Sequence, residues 1–374
     1  MSTLVQQQME SSADERYFLA SQWQLMWRKL KKHRLALLGG IILIIFYISG
    51  LLCEVIAPYE IFNKNTDYIY CPPQKIHFFD GTRFHLRPFV YGLEREIDME
   101  LLKRIYKEDK SRKYFIKLFV RGDEYKFWGL FKTDIHLFGV DRPGTLYIFG
   151  TDDLGRDMLS RNLYASRISL SIGLVGVAFS FILGLIFGGL SGYYGGPIDT
   201  VIQRIIEFLI SIPKIPLWMA LSAALPPNWP SINVYFGITI ILSMAAWTGL
   251  ARVVRGRLLE LREEDFVMAA KISGATDPVI IARHLLPSFL SYLIVNLTLS
   301  IPRMILAETA LSFLGLGLRP PVVSWGVLLQ KAQNFQAVVM APWLLLPGTF
   351  VVFAVLAFNV VGDGMRDAAD PYAN

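Results

Sequence analysis

Six apolar runs, each close to the length that carries a helix through a bilayer, constrain this chain more than any other feature. A helix climbs about 1.5 Å per residue, so about 20 apolar residues cross a hydrocarbon core of about 30 Å while its own ladder satisfies the backbone. The runs lie at residues 35–57, 168–190, 198–225, 232–250, 289–311 and 338–361. Composition agrees: 53% hydrophobic residues, 18% charged residues and a mean hydropathy of +0.41 argue against two soluble domains in 374 residues. Disorder is excluded by 25 Phe, 16 Tyr and 8 Trp.

Charge sets the expected orientation. Arg28, Lys29, Lys31, Lys32, His33 and Arg34 precede the first run, and a second basic concentration, Arg252, Arg255, Arg257, Arg262, Lys271 and Arg283, lies between the fourth and fifth runs. Both belong on the cytoplasmic side under the positive-inside rule, which puts both termini there after six crossings. Trp23 and Trp27 are expected at that interface. The net charge of +6 therefore flanks membrane segments and forms no stripe for nucleic acid. The first run is long and has no small-x-small cleavage site, so it reads as an uncleaved anchor.

The third run is the unusual one. Arg204, Glu207 and Lys214 would each cost about 2.5–3.5 kcal/mol near the bilayer centre. Arg204 and Glu207 are spaced to pair on one helix face, and Pro213 and Pro216 around Lys214 predict a break. Lys214 and Glu207 then have two readings: an interfacial pair with a packing kink, or groups turned toward a water-filled translocation path. The second run carries Gly176, Ser180, Gly184, Gly188 and Gly192 at four-residue steps, a stripe that lets helix backbones approach closely. Its partner, a helix of this chain or of a second subunit, is open at this stage.

Residues 58–150 form a polar insert on the outer side of the expected topology. Ile97, Leu101 and Ile105 among dense charges predict an amphipathic helix over 93–113, and a hairpin is expected from 114–120 and 125–131 around Arg121, Gly122, Asp123 and Glu124. A small α+β subdomain follows, suited to a solvated surface or to docking an extracytoplasmic protein. Cys53 and Cys71 have no metal-type spacing and are expected as unpaired thiols.

Several chemistries lack their motifs. The sequence holds no GxxxxGK[ST] loop and no HExxH, its histidines at 33, 77, 85, 136 and 284 have no zinc-type spacing, and Ser191 is not in GxSxG. Asp152, Asp153 and Asp157 with Gly155 fall short of a calcium loop. The chain thus reads as a non-enzyme without a metal or cofactor of its own.

The stretch 263–288 is read as two short helices about a break. The first spans 263–272; Gly274 supplies the left-handed stop; Asp277 caps a second helix with Pro278 in its first position; Arg283 and His284 suit its C-terminal end, and Pro287 ends it. Such a pair makes a knob offering Phe266, Ala269, Ala270 and Ile272 to a groove on a cytoplasmic partner.

The run Asp265-Phe266-Val267-Met268-Ala269-Ala270-Lys271 with Gly274, Arg283, His284, Leu286 and Pro287 resembles the EAA loop of ABC importer permeases. More narrowly, the chain is similar to the C-type permease subunit of the dipeptide, oligopeptide and nickel importer family. Gly150-Thr151-Asp152-Asp153-Leu154-Gly155-Arg156-Asp157 resembles that family's signature before its second helix. Glu308-Thr309-Ala310-Leu311-Ser312-Phe313-Leu314-Gly315-Leu316-Gly317 with Pro320, Pro321, Ser324, Trp325 and Gly326 is a third match, and Gly362-Asp363-Gly364-Met365-Arg366-Asp367 with Asp370 and Pro371 a fourth. Ala165, Ser273, Lys214 and the long insert depart from the usual pattern; the insert resembles that of larger members such as the subunit serving a microcin and peptide importer.

The resemblance implies an all-α polytopic membrane protein of six transmembrane helices, ABC type I importer permease-like, with a small extracytoplasmic α+β insert. Its expected parts are a cytoplasmic segment 1–34, a first transmembrane helix 35–57, the insert 58–150, a five-helix core 151–362 with the coupling loop 263–288, and a cytoplasmic tail 363–374. Asp265, Phe266, Ala269, Ala270, Lys271, Gly274, Arg283 and Pro287 are the implied ATPase-coupling residues. The implied partners are a homologous second permease, two cytoplasmic ATPases that bind the ATP, an extracytoplasmic solute-binding protein and membrane lipid. The expected function is import of peptides or similar small solutes across a bacterial or archaeal cytoplasmic membrane. An ion-coupled secondary carrier using Lys214, Glu207 or Glu308 is the alternative, and a membrane-anchored sensor a third class.

Overall fold

A computed structural model describes residues 22–81, 83–99 and 103–369. The side chain of Trp23, together with Leu101, Asp370 and Pro371, lies outside the described set. A short basic helix α1 (Gln22–Lys32) leads into α2 (Arg34–Leu51), whose start is capped by His33 Nδ1 accepting the Ala36 amide at 3.0 Å. The first span expected over 35–57 breaks at Leu52, and the single turn α3 (Cys53–Ile56) follows.

The bundle is built from α4 (Met158–Tyr194), α5 (Gly196–Ser211), α6 (Lys214–Ala223), α7 (Ser231–Leu261), α9 (Leu290–Phe313) and α11 (Leu346–Ala369). Between α7 and α9 lies α8 (Asp265–Ile272); between α9 and α11 lies α10 (Trp325–Gln330). Among the described residues five helices are long and apolar enough to cross a membrane, and α5 with α6 make a sixth where that pair is taken as one span. The pair bends by 89° at Ile212 and Pro213, where the sequence predicts a break. Proline removes a ladder donor and crowds the preceding turn, so the helix restarts in a new direction.

The small-residue stripe of α4 finds its partner within this chain. A Cβ on Gly188 would stand 2.7 Å from the Ala251 carbonyl oxygen, and one on Gly192 2.7 Å from that of Arg255, so α4 and α7 touch backbone to backbone. Ser243 Oγ donates to the Gly176 carbonyl at 2.9 Å across the same seam. Leu170, Ile172, Val177, Ile238, Leu242, Ile301, Ile305, Trp325 and Phe358 form the main core where α4, α7, α9, α10 and α11 meet. The segment 363–369 continues α11 without interruption and is not a separate tail.

The insert differs most from expectation. Residues 93–113 form no helix: β2 (Phe84–Asp98) and β3 (Lys103–Phe115) pair antiparallel and, with β1 (His77–Phe79), make a three-stranded sheet. Its packing is aromatic: around Phe89, His77 stacks, His85 and Tyr91 stand edge-on and Phe115 is tilted. The helical spacing of Ile97 and Ile105 is overridden because they fall on two different strands, β2 and β3, whose pairing and aromatic face decide the matter. The second hairpin, β4 (Lys117–Phe127) with β5 (Phe131–Gly139), turns at Trp128, Gly129 and Leu130. Arg121, Gly122, Asp123 and Glu124 are instead a register shift inside β4. There the buried His136 ring lies against Gly122 and accepts no Cβ. Besides strands, the described insert contains only the 3₁₀ turn Thr66–Tyr68, so it is a β unit where an α+β one was expected. Cys53 and Cys71 are free and fully buried.

Candidate coupling and translocation sites

The connector starts where α7 ends. α8 turns Val267 and Ala270 inward, three residues apart, against Leu258, Ile280, Leu285 and Leu293. It ends in a Schellman arrangement: the Ala275 amide donates to the Ala270 carbonyl at 3.1 Å and the Gly274 amide to that of Lys271 at 3.0 Å, with Gly274 at φ +80°. Phe266, Met268, Ala269 and Ile272 face out, Ile272 being 85% exposed. Of the four residues expected on the knob's free face, Ala270 is therefore corrected: it is a buried packing residue.

The second half departs from the expected capped helix. Asp277 sits in the first turn behind Thr276 and makes no cap; its carboxylate accepts the Tyr193 hydroxyl at 2.7 Å. Residues 280–285 then wind as a π-helix, with the Leu286 amide reaching the Ile281 carbonyl. Pro287 lacks an amide for the ladder and crowds the turn before it, which the wider winding relieves. The break falls at Phe289 and not at Pro287. Arg283 and Pro287 are exposed beside this turn, and Asp265 is exposed at the start of α8.

Tyr193, which sequence reasoning missed, joins the connector to the end of α4. Its hydroxyl holds Asp277, its ring lies 5.6 Å from Lys271 Nζ, and its carbonyl accepts Arg262 Nη1 at 3.4 Å. The aromatic pair Tyr193-Tyr194 before Gly195-Gly196 is the signal in the sequence. A second missed group ties α5 to α7: Arg255 donates to both carboxylate oxygens of Asp199, at 2.6 and 2.5 Å. Ser191 also donates to Asp199.

Lys214 and Glu207 are not brought to the connector. Arg204 and Glu207 pair at 2.7 Å on an exposed face of α5, and Lys214 starts α6, exposed beyond the bend. An open crevice of about 600 Å³ between α4, α5 and α7 is lined by Leu183, Arg204, Phe208 and Trp247, and neither Lys214 nor Glu207 borders it. Glu308, from the third motif, is fully buried; Ser312 and Ser324 hydroxyls donate to one oxygen at 2.7 and 2.8 Å and Ser169 to the other at 3.4 Å.

The Asp-rich motif is a clamp. Asp152 accepts the Leu154 and Arg156 amides at 2.9 and 3.0 Å and side-chain donors from Arg156 at 2.8 Å and Arg161 at 2.5 Å. Asp157 caps α4 through the Ser160 amide at 2.7 Å, and Asp153 pairs with Lys331 at 2.7 Å. Arginine and lysine thus engage Asp152 and Asp153, and Ser160 one oxygen of Asp157, where a calcium loop would present all three to a cation.

Residues 180–373 match the family described as binding-protein-dependent transport system inner membrane component, and residues 21–73 match the N-terminal TM domain of oligopeptide transport permease C. The chain belongs to this binding-protein-dependent transport family. It is thus the multi-pass membrane permease of an ABC importer, a C-type subunit by its likeness to others of that kind. The permease is 39% identical over 231 residues to the dipeptide transport system permease protein DppC of Bacillus subtilis, covering 61% of this chain and 70% of that protein. It is 35% identical to the oligopeptide transport system permease protein OppC of the same organism, over 63% of this chain and 75% of that one. Against OppC of Haemophilus influenzae the identity is 41%, over 60% and 70% of the two chains. The inward-facing MetNI methionine ABC transporter aligns with 57% of this chain and 98% of that chain, at 20% identity and a TM-score of 0.45. Both hairpins of the insert fall outside the two matched segments.

Proposed function

We propose that this permease moves peptides or similar small solutes into the cytoplasm, and that the outward face of α8 is where cytoplasmic ATPases drive it. The observation that carries the coupling claim is the knob's double character. Phe266, Ala269 and Ile272 are exposed, while Val267 and Ala270 pack the same helix against α7 and α9, and Tyr193 at the end of α4 touches it at Lys271 and holds Asp277 just beyond it. A displacement of α8 is then passed to the bundle as a rigid movement, because packed interfaces switch between arrangements more readily than they deform.

In this reading two permeases line the path, two ATPases seat one knob each, and an extracytoplasmic solute-binding protein delivers cargo. Residues 1–34 and 363–374 lie in the cytoplasm with the connector, and the insert 58–150 lies outside. Asp265, Lys271, Arg283 and Pro287 border the ATPase groove. Lys214, Glu207 and the bent pair face the second permease across the path. The peptide assignment rests on the dipeptide and oligopeptide permeases to which the chain is similar.

Gly274→Val tests the coupling claim. A Cβ there meets nothing within 4 Å, so the change is purely one of backbone, forcing a β-branched residue into φ +80° at about 1–2 kcal/mol. In the complex reconstituted with its ATPases, solute-stimulated ATP hydrolysis and uptake fall, while Gly274→Asn, which tolerates this geometry, keeps both. Unchanged uptake in the valine variant rejects α8 as the coupling element. Uptake by vesicles lacking any ATPase, abolished by an ionophore, would reject the importer reading in favour of an ion-coupled carrier.

A further inference from the structure

The tip of the β4–β5 hairpin is built unlike a water-facing turn. Lys126 pairs with Lys132 and Phe127 with Phe131, and Trp128, Gly129 and Leu130 close the loop. A solvated tip of this kind is ordinarily Asn, Asp and Gly. Here Leu130 is 81% exposed, Phe131 58% and Trp128 50%, with both lysines exposed directly behind them.

The position of this tip is fixed against the membrane-spanning part. Trp128 Nε1 donates to the carbonyl of Leu51, the last residue of α2, at 3.1 Å. The Arg167 guanidinium lies 4.5 Å from the Trp128 ring centroid and donates to the Gly50 carbonyl at 2.9 Å and to Glu54 at 2.6 Å. The exposed face of α2 beneath this point is Ile41, Ile44, Ile45, Ile48 and Leu51, which only lipid or another apolar surface can solvate. Its last turn, met by an ion pair and an indole N–H, marks where hydrocarbon gives way to headgroups, the level at which tryptophan collects.

We propose that the β4–β5 hairpin is a membrane-dipping anchor that seats Trp128, Leu130 and Phe131 in the interfacial layer beside the end of α2, with Lys126 and Lys132 on phospholipid phosphates. Bilayer is favoured over a protein groove because the patch continues the lipid-facing surface of α2 and is backed by two cations, which suit a plane of phosphates. Burying the tip fixes the insert relative to the first span and leaves the aromatic three-stranded sheet free to face water. This inference needs only the membrane-spanning character of the chain and stands apart from the coupling claim.

The test is a fluorescent NBD label on Leu130→Cys in the full chain, reconstituted into nanodiscs of phosphatidylcholine and phosphatidylglycerol. Cys53 and Cys71 are fully buried, and the unmutated chain carried through labelling gives the background. The expected result is blue-shifted emission that is quenched by doxyl-phosphatidylcholine, more by a doxyl near the headgroup than by one near the chain terminus. The same label at Phe131→Cys repeats the pattern. Emission at the water position with no quenching overturns the proposal, as does blue-shifted emission that neither doxyl lipid quenches, which would mean a protein surface covers the tip. Stronger quenching by the deeper doxyl rejects interfacial seating.

Discussion

Glu308, a charge-type residue in an apolar helix, has a structural reading and a relay reading that experiment can separate. In sequence it stands among apolar residues and invites a role in ion relay. In the fold it joins α4, α9 and the segment before α10 by collecting hydroxyls from Ser169, Ser312 and Ser324, while Ser169 and Ser312 in turn accept the Trp325 and Leu318 amides at 3.1 and 3.0 Å. Replacing it by Leu strands buried hydroxyls at about 1–3 kcal/mol each. The expected outcome for Glu308→Leu is a clear drop in melting temperature of the purified chain, with Glu308→Gln much milder because its carbonyl still accepts. A relay role predicts the opposite order of damage: normal melting and lost transport in the glutamine variant.

Asp157 carries a pH signature at the same scale. Burial pushes its carboxyl up to about 6 from an ordinary 3.8, against the opposing hydrogen bonds from Ser160, and its second oxygen is buried without a partner. A raised carboxyl favours the folded state most below pH 3.8 and loses that contribution as pH rises through about 6. The shift of about two units corresponds to roughly 3 kcal/mol. Asparagine caps helices as well as aspartate does. The melting temperature of Asp157→Asn minus that of the unmutated chain is thus expected to increase between pH 4 and pH 7, and a flat difference contradicts the burial account.

At the scale of elements, close approach is the governing quantity. Gly188 and Gly189 are neighbours in α4, yet a Cβ on the first meets the Ala251 oxygen at 2.7 Å and Val254 Cβ at 2.8 Å, while one on the second meets only Ile281 Cγ2 at 3.7 Å. Gly188→Val forces α4 from α7 and is expected to destabilise by about 1–3 kcal/mol. Gly189→Ala is expected to be neutral or slightly stabilising, since alanine is the better helix former. Parallel thermal melts in detergent check both. Four-residue periodicity revealed the stripe in the sequence, but any helix with room opposite could have answered it; only the packed bundle names α7.

At the scale of the whole molecule, the chain passes between bundle and insert through a narrow waist, while the β4–β5 hairpin also leans on the bundle through Trp128 at the Leu51 carbonyl and His136 at that of Ala57. The Gln74 amide donates to the Tyr147 carbonyl at 2.9 Å, and the Tyr147 amide to the Gln74 side chain at 2.6 Å, so the chain leaves and re-enters the base of the insert at one place. Below the waist, Thr151, Asp152 and Trp343 hold that base to α4 and to the segment before α11. Replacing residues 76–145 by a short Gly-Ser linker is therefore expected to leave a monodisperse, folded bundle in size-exclusion chromatography. Aggregation of that variant would show that the sheets are part of the bundle's own core.

What the sequence alone determined was whatever depends on apolar length, charge asymmetry and local backbone chemistry: the membrane-crossing runs, the break at Pro213, the glycine stop at Gly274 and the transporter family carried by four ordered motifs. The tertiary structure decided what depends on partners distant along the chain. Residues 93–113 become strands because Phe89, Tyr91 and Phe115 need one another's rings, and the turn moves to Trp128 because the Leu51 carbonyl at the end of α2 and Arg167 of α4 hold it. Ala270 turns inward and Tyr193 joins the connector for the same reason: a helix's period fixes which residues share a face, and only the neighbouring elements determine which face is covered.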